Sequence, residues 1–263
     1  MPIWLYQIRP LYSAIILIVL IETISMIGLF LARRFLLPRF NYSEGINDAI
    51  SGTVQAIGVF YGITVGLIAV AVWDTNSNSS DLVSKEASAI GGLYRDVRGL
   101  PSPLRDDLSK LLRDYTTFVV QQDWPAQQQG RILDGGTQIL NDFETRLFAY
   151  EPTTSGKTEI YGETLHAFNN LAEARRLRLH AVTEGLSGTM WAVIWIGAVI
   201  SIGVAYLFNI QDPKMHALLI GLMAGYLAIV LFMIVINDKP FYGSVNISPE
   251  PYQMLLDRLY TIK

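Results

Sequence analysis

Residues 49–73 read AISGTVQAIGVFYGITVGLIAVAVW, and the fold class turns on this stretch. It contains no charged residue and no proline. As a helix rising about 1.5 Å per residue it is long enough to cross a hydrocarbon core of about 30 Å. Its apolar character is not uniform. Gly58, Gly62 and Gly66 recur every fourth residue, which places them in one stripe along a helix. Ser51, Gln55, Ala69 and Trp73 fall near that stripe. A helix face without bulk either admits a second backbone at close range or borders a lumen.

Moving outward, three more apolar blocks share this length, so that spans are predicted at about residues 11–32, 49–73, 190–208 and 216–236. The chain is 51% hydrophobic and 16% charged, whereas a soluble domain carries about a quarter charged residues. The first block is too long for a cleavable signal, and Arg33-Arg34 follows it where small residues would be required. Trp4, Tyr6 and Tyr12 flank Arg9 ahead of it, an aromatic and basic mixture suited to a membrane interface. The predicted fold is an all-α membrane protein with four transmembrane helices and a soluble helical bundle inserted between the second and third spans. The predicted segments are residues 1–80 (an N-terminal transmembrane hairpin), 81–184 (the soluble bundle), 185–236 (a C-terminal transmembrane hairpin) and 237–263 (a tail with a short helix).

Within the spans, polar residues are rare and therefore informative. Glu22 lies near the middle of the first span. A carboxylate there costs at least about 2.5 kcal/mol of insertion energy unless protein or water receives it. Glu22 therefore either takes part in permeation, gating or proton handling, or holds helices together. The third span carries Gly197, Ser201 and Ala205, and the fourth Gly221, Gly225 and Ala228, both at near-helical spacing that favours close packing. Tyr206, His216 and Tyr226 are expected to be the polar groups available to Glu22 or Gln55.

The 81–184 segment shows helical periodicity and no alternating strand pattern. Leu82, Ile90, Leu93 and Val97 mark one helix, expected to continue the second span after a polar boundary at WDTNSNSSD. A second is expected to start at Ser102-Pro103, with serine as cap, and to break at Trp124-Pro125. A third centres on Phe143 and ends by Pro152, and a fourth runs from about residue 158 to 182. Arg175, Arg176 and Arg178 form a dense basic patch just before the third span. They suit a basic vestibule or a lipid-headgroup site, or serve as membrane-surface anchors and salt-bridge partners. Arg95 and Arg98 carry the same two readings. In the tail, Ser248-Pro249-Glu250 starts a helix whose Leu255, Leu256, Leu259 and Tyr260 are expected to dock.

Under the positive-inside rule the basic residues near the span ends favour a cytoplasmic soluble segment in a bacterial inner-membrane protein, with both termini on the same side, whereas the first span alone, followed by Arg33 and Arg34, favours the opposite orientation. A net charge of −3 gives no case for nucleic acid. There is no cysteine, and His166, His180 and His216 lie at no metal-ligand spacing. Phosphate-loop, dinucleotide, zinc-protease and nucleophile-elbow motifs are absent. Neither an enzyme nor a cofactor or metal site is therefore expected.

The second span running into VWDTNSN, the segments KEASAIGGLYRDVRGLP and LAEARRLRL, and the tail motif DKPFYGSVNISPEPY resemble the bacterial bestrophin-like membrane proteins. That resemblance implies kinship with oligomeric anion channels in which the second membrane helix lines a hydrophobic neck. On that basis the expected function is a homo-oligomeric ion channel, conducting anions such as chloride, with the lipid bilayer, other copies of itself and inorganic ions as partners. The pore or gate candidates are Gln55, Val59, Phe60, Ile63 and Thr64, with Glu22 beside them. The packing candidates are Gly58, Gly62, Gly66, Gly197, Gly221 and Gly225. The alternative reading is a non-conducting membrane scaffold or sensor whose helical domain binds a partner.

Overall fold

The computed structural model describes Tyr6, residues 8–40, Tyr42, residues 44–243 and residues 247–259; Trp4, Tyr260 and the side chain of Leu259 lie outside the described residues. Every element among them is helical. In chain order these are α1 (Pro10–Leu31), α2 (Ile46–Val97), α3 (Leu104–Phe118), α4 (Trp124–Gln127), α5 (Gly135–Phe148), α6 (Ser155–Thr183), α7 (Gly188–Ala205), α8 (Pro213–Asn237) and α9 (Glu250–Leu259). Four helical stretches are long and apolar enough to cross a membrane.

Contacts divide the chain into two compact units. The first holds the described residues up to Asp74 together with Gly185–Asp238; the second holds Thr75–Glu184 and the described residues from Lys239 onward. Helix α2 supplies residues to both.

In the first unit, α1 buries Ser13, Leu17, Ile21, Ser25 and Leu29, one residue per turn. Leu17 and Ile21 join Ile194 and Ala198 of α7 and Ala224, Ala228, Leu231 and Ile234 of α8, and Leu29 joins Ala205 and Ile220, in clusters where small side chains let the helices close up. Ile24, Phe30, Leu67, Val199 and Leu222 point outward. So much exposed apolar surface would drive aggregation in water and suits lipid. The first helix continues beyond the expected end of the span through a wider turn at Ala32–Leu36 and a tighter one at Leu37–Arg39. Asp212 caps α8, accepting from the Lys214 amide at 2.9 Å, with Pro213 in the first turn, and Ser187 caps α7.

Three local expectations change. The polar run after Trp73, where the two units divide, does not interrupt the helix: α2 is unbroken for 52 residues. No glycine or proline occurs between Gly66 and Gly91, and the Ser79 and Ser84 hydroxyls donate back to the Thr75 and Ser80 carbonyls of the same helix, so these serines do not divert the backbone. Ser102 does not cap α3; its hydroxyl donates to Asp106 at 2.7 Å, and the helix starts at Leu104. Trp124-Pro125 does not break the chain's helical course. Pro125 has no amide hydrogen and its ring crowds the turn before it; the widened turn at Val119–Asp123 accommodates it, and helix resumes at Trp124.

The second unit has one core. Val83, Ile90, Leu93 and Val97 of α2 meet Leu108, Leu112 and Tyr115 of α3, Phe143 and Leu147 of α5, and Phe168 and Leu171 of α6. Each large apolar side chain buried this way contributes about 1.5–3 kcal/mol. Phe241 and Tyr252 of the tail are buried in the same core, both against Trp124. The Lys239 ammonium donates to the Glu184 carbonyl at 2.9 Å, and the Ser248 hydroxyl accepts from the Glu250 amide at 3.1 Å where α9 begins.

Candidate functional site

Helix α2 is used unevenly within the first unit. Tyr61, Val65, Ile68 and Val72 turn into the apolar cluster. The Tyr61 ring lies on Gly197 of α7, where any Cβ would run into it, and the Tyr61 hydroxyl donates to the Ile194 carbonyl at 3.0 Å. Gly197→Ala is therefore expected to destabilise the protein by about 1–3 kcal/mol, as overpacking does. Gly203→Ala on the same helix meets open space and should be neutral or stabilising by up to about 1 kcal/mol. Thermal denaturation of the two purified variants tests the opposite signs.

The other side of α2 has no neighbour in the chain. A side chain added at Gly58, Gly62 or Gly66 would meet nothing within 4 Å. Val59 and Ile63 are exposed, and Phe60 is 73% exposed. Thr64 is half-buried and donates to the Phe60 carbonyl at 2.8 Å; Gln55 is exposed and donates to the Ser51 hydroxyl at 3.1 Å. The structure thus gathers Gln55, the three glycines and the Val59–Phe60–Ile63 group on surface that the chain leaves open.

Glu22 is elsewhere. It is half-buried on α1, and its carboxylate rests in a notch on α8 formed by Gly221 and Gly225. A Cβ on Gly225 would lie 2.8 Å from Oε1, and one on Gly221 3.6 Å from Oε2. Those two glycines make room for a carboxylate between α1 and α8, an arrangement that separate inspection of the two spans does not reveal.

Two of the polar groups expected to meet Glu22 or Gln55, Tyr206 and His216, have other partners. Tyr206 lies against Gly28 and donates to the Ser25 carbonyl at 2.8 Å. His216 is buried at the first turn of α8; its Nδ1 is 3.0 Å from Arg33 Nη1 and its Nε2 is 3.4 Å from the Ala205 carbonyl. A guanidinium can only donate, so Nδ1 accepts and Nε2 carries the hydrogen. Arg33 also donates to the Ile210 carbonyl at 3.0 Å, which ties the end of the first helix to the short α7–α8 connection. Tyr226 is exposed.

The basic patch is divided. Arg176 is exposed, while Arg175 donates to Thr137 at 3.0 Å. Arg178 is fully buried and belongs to no vestibule or headgroup site. Its Nε donates to Glu86 Oε2 at 2.5 Å, Nη1 to Gln127 Oε1 at 2.9 Å, and Nη2 to Asp123 Oδ2 at 3.4 Å. The Tyr115 hydroxyl donates to Glu86 Oε1 at 2.5 Å, and the guanidinium stands 5.9 Å from the Trp124 ring and 6.0 Å from the Tyr252 ring. Burial, and then the Glu86 charge, push the Tyr115 phenol well above its ordinary range, so it remains a donor. The patch lies on a helix whose Phe168, Leu171, Arg178, Ala181 and Val182 all turn inward, so the dense charge masks an inward position. A clue was present in α2: Glu86 occupies a position in the stripe of Val83, Ile90, Leu93 and Val97. No group of three or more acidic or histidine side chains able to hold a metal occurs among the described residues.

Residues 19–252 match the family described as the Bestrophin-like domain. Among solved structures, one form of a bacterial bestrophin homologue from Klebsiella pneumoniae is similar at a TM-score of 0.66 and 14% identity, covering 94% of this chain and 99% of that one. A second form of that homologue gives 0.64 and 14% identity over 93% and 98%. A crystal structure described as a membrane protein gives 0.66 and 14% identity over 91% and 96%. No curated protein is similar to the chain by sequence.

Proposed function

We propose that the chain, which belongs to the Bestrophin-like family, assembles with copies of itself into an ion channel of the lipid bilayer, with the open side of α2 around the pore. One observation carries this reading: along the uncharged 49–73 stretch of α2, Gly58, Gly62 and Gly66 have no neighbour in their own chain, while Tyr61, Val65, Ile68 and Val72 are packed against it. Copies arranged around an axis would cover or enclose that side. Val59, Phe60 and Ile63 would then form an apolar constriction of the kind that gates by dewetting, and Gln55 would supply a polar ring one to two turns away. The ion class, an anion such as chloride, follows from bestrophin kinship. The second unit is the soluble bundle of this channel and, with both termini, lies in the cytoplasm. Glu22 acts from the α1–α8 interface, adjusting helix packing rather than touching the ion path.

Reconstitution into liposomes with an anion-flux assay tests the proposal. Wild-type protein is expected to pass anions, Gln55→Leu to reduce flux, and Glu22→Gln to alter it by less. A well-assembled wild type that carries no flux at any pH or voltage defeats the channel reading in favour of a scaffold.

A further inference from the structure

The second unit contains a cationic cavity that the channel reading does not use. It has a volume of about 460 Å³ and lies between the end of α2 and the start of α3. Tyr94 and Arg98, four residues apart, form one wall; Arg105, Lys110 and Arg113 form the other, together with Asp106. Arg105 and Arg113 stand two helical turns apart and therefore project on one side of α3. Four cations thus surround a concavity with a single carboxylate.

That carboxylate is already engaged. Asp106 accepts from the Ser102 hydroxyl at 2.7 Å and from Arg105 Nε at 3.0 Å. The Ser102 bond, and then Arg105, hold its carboxyl below the usual range, so it is ionised and satisfied. No hydrogen bond or ion pair joins Arg98 or Lys110 to another described residue. Cations crowded on one concave surface repel one another, and an anion placed among them relieves that repulsion while collecting charge-assisted hydrogen bonds. Guanidinium groups match the paired oxygens of phosphate, and lysine adds a point charge. The volume lies within the range of small-molecule pockets.

We infer that this cavity binds a phosphate-bearing anion of at least two negative charges, through Arg98, Arg105, Lys110 and Arg113. The ligand class is a free polyphosphorylated small molecule. The site is independent of ion conduction.

The test uses the full-length protein in nanodiscs of zwitterionic phosphatidylcholine, titrated calorimetrically with inorganic pyrophosphate. A second arm compares thermal stability in these discs with discs containing cardiolipin, without pyrophosphate. The variants are Arg98→Gln/Lys110→Gln and, as control, Arg95→Gln, whose side chain lines a different groove beside α9. Wild type is expected to bind pyrophosphate and to show no cardiolipin stabilisation that depends on Arg98 and Lys110. The double variant should lose about tenfold or more in affinity for pyrophosphate, in line with lost hydrogen bonds to charged groups. The control should keep wild-type affinity. No pyrophosphate binding by wild type, binding that the double variant retains, or a cardiolipin stabilisation that only the double variant loses overturns the inference.

Discussion

Arg178→Met is expected to lower the melting temperature of the purified protein by about 10 °C or more. Arg178 is buried among Glu86, Asp123 and Gln127. Removing it leaves two carboxylates, themselves at most 1% exposed, without their counter-charge. Breaking a buried pair by deleting one partner costs about 3–5 kcal/mol, because the remaining charge has no solvent to return to. The loss should reach the tail, since the same guanidinium faces Trp124 and Tyr252. Hydrogen exchange in residues 247–259 should therefore accelerate along with the fall in melting temperature. Arg178→Lys keeps the charge but loses the planar fork and should fall between. The double variant Arg178→Met/Glu86→Gln should recover part of the loss, because one orphaned charge is gone. A melting temperature within about 1 °C of wild type for Arg178→Met would remove this cluster as the organiser of the second unit.

Gly62→Leu is expected to cut anion flux by at least about tenfold, equivalent to ~1.4 kcal/mol added to the permeation barrier. Nothing within 4 Å inside the chain opposes a larger side chain at Gly62, so the folded protomer should tolerate the change and its melting temperature should stay near wild type. The effect must then come from what surrounds the open side of α2 in the assembly. Mass measurement of the detergent-solubilised particle separates two routes: an intact oligomer with blocked flux places Gly62 at the lumen, and a dissociated one places it between copies, where the glycine permits close approach. Unchanged flux together with unchanged assembly would eliminate the open side of α2 as either surface.

Much of this molecule is legible in one dimension, but the legibility is selective. The inward stripe of α2 in the second unit could be read from its spacing; Glu86 falls within that stripe, but its burial was not among the sequence expectations. Its partner could not be read, because Arg178 is 92 residues away and appears among other arginines as surface charge. Proline at 125 suggested a break, since its missing amide hydrogen is a local fact; the widened turn that absorbs it depends on the packing of Val119, Asp123 and Trp124 into the core. Glycines pose the same ambiguity. Gly197, Gly221, Gly225, Gly58 and Gly62 have equivalent signatures, yet the first carries a tyrosine ring, the next two a carboxylate, and the last two have no neighbour within the chain.

The sequence by itself determined four apolar stretches long enough to cross a membrane and the helical class. In hydrocarbon every backbone polar group must find its partner within its own segment, so length and apolarity alone specify a helix. The tertiary structure decided which side of each helix is occupied: Tyr61 over Gly197, Glu22 in the notch of Gly221 and Gly225, Arg178 between Glu86 and Asp123. These pairings depend on the rotation and depth at which distant segments meet, and periodicity along a single helix carries no information about either.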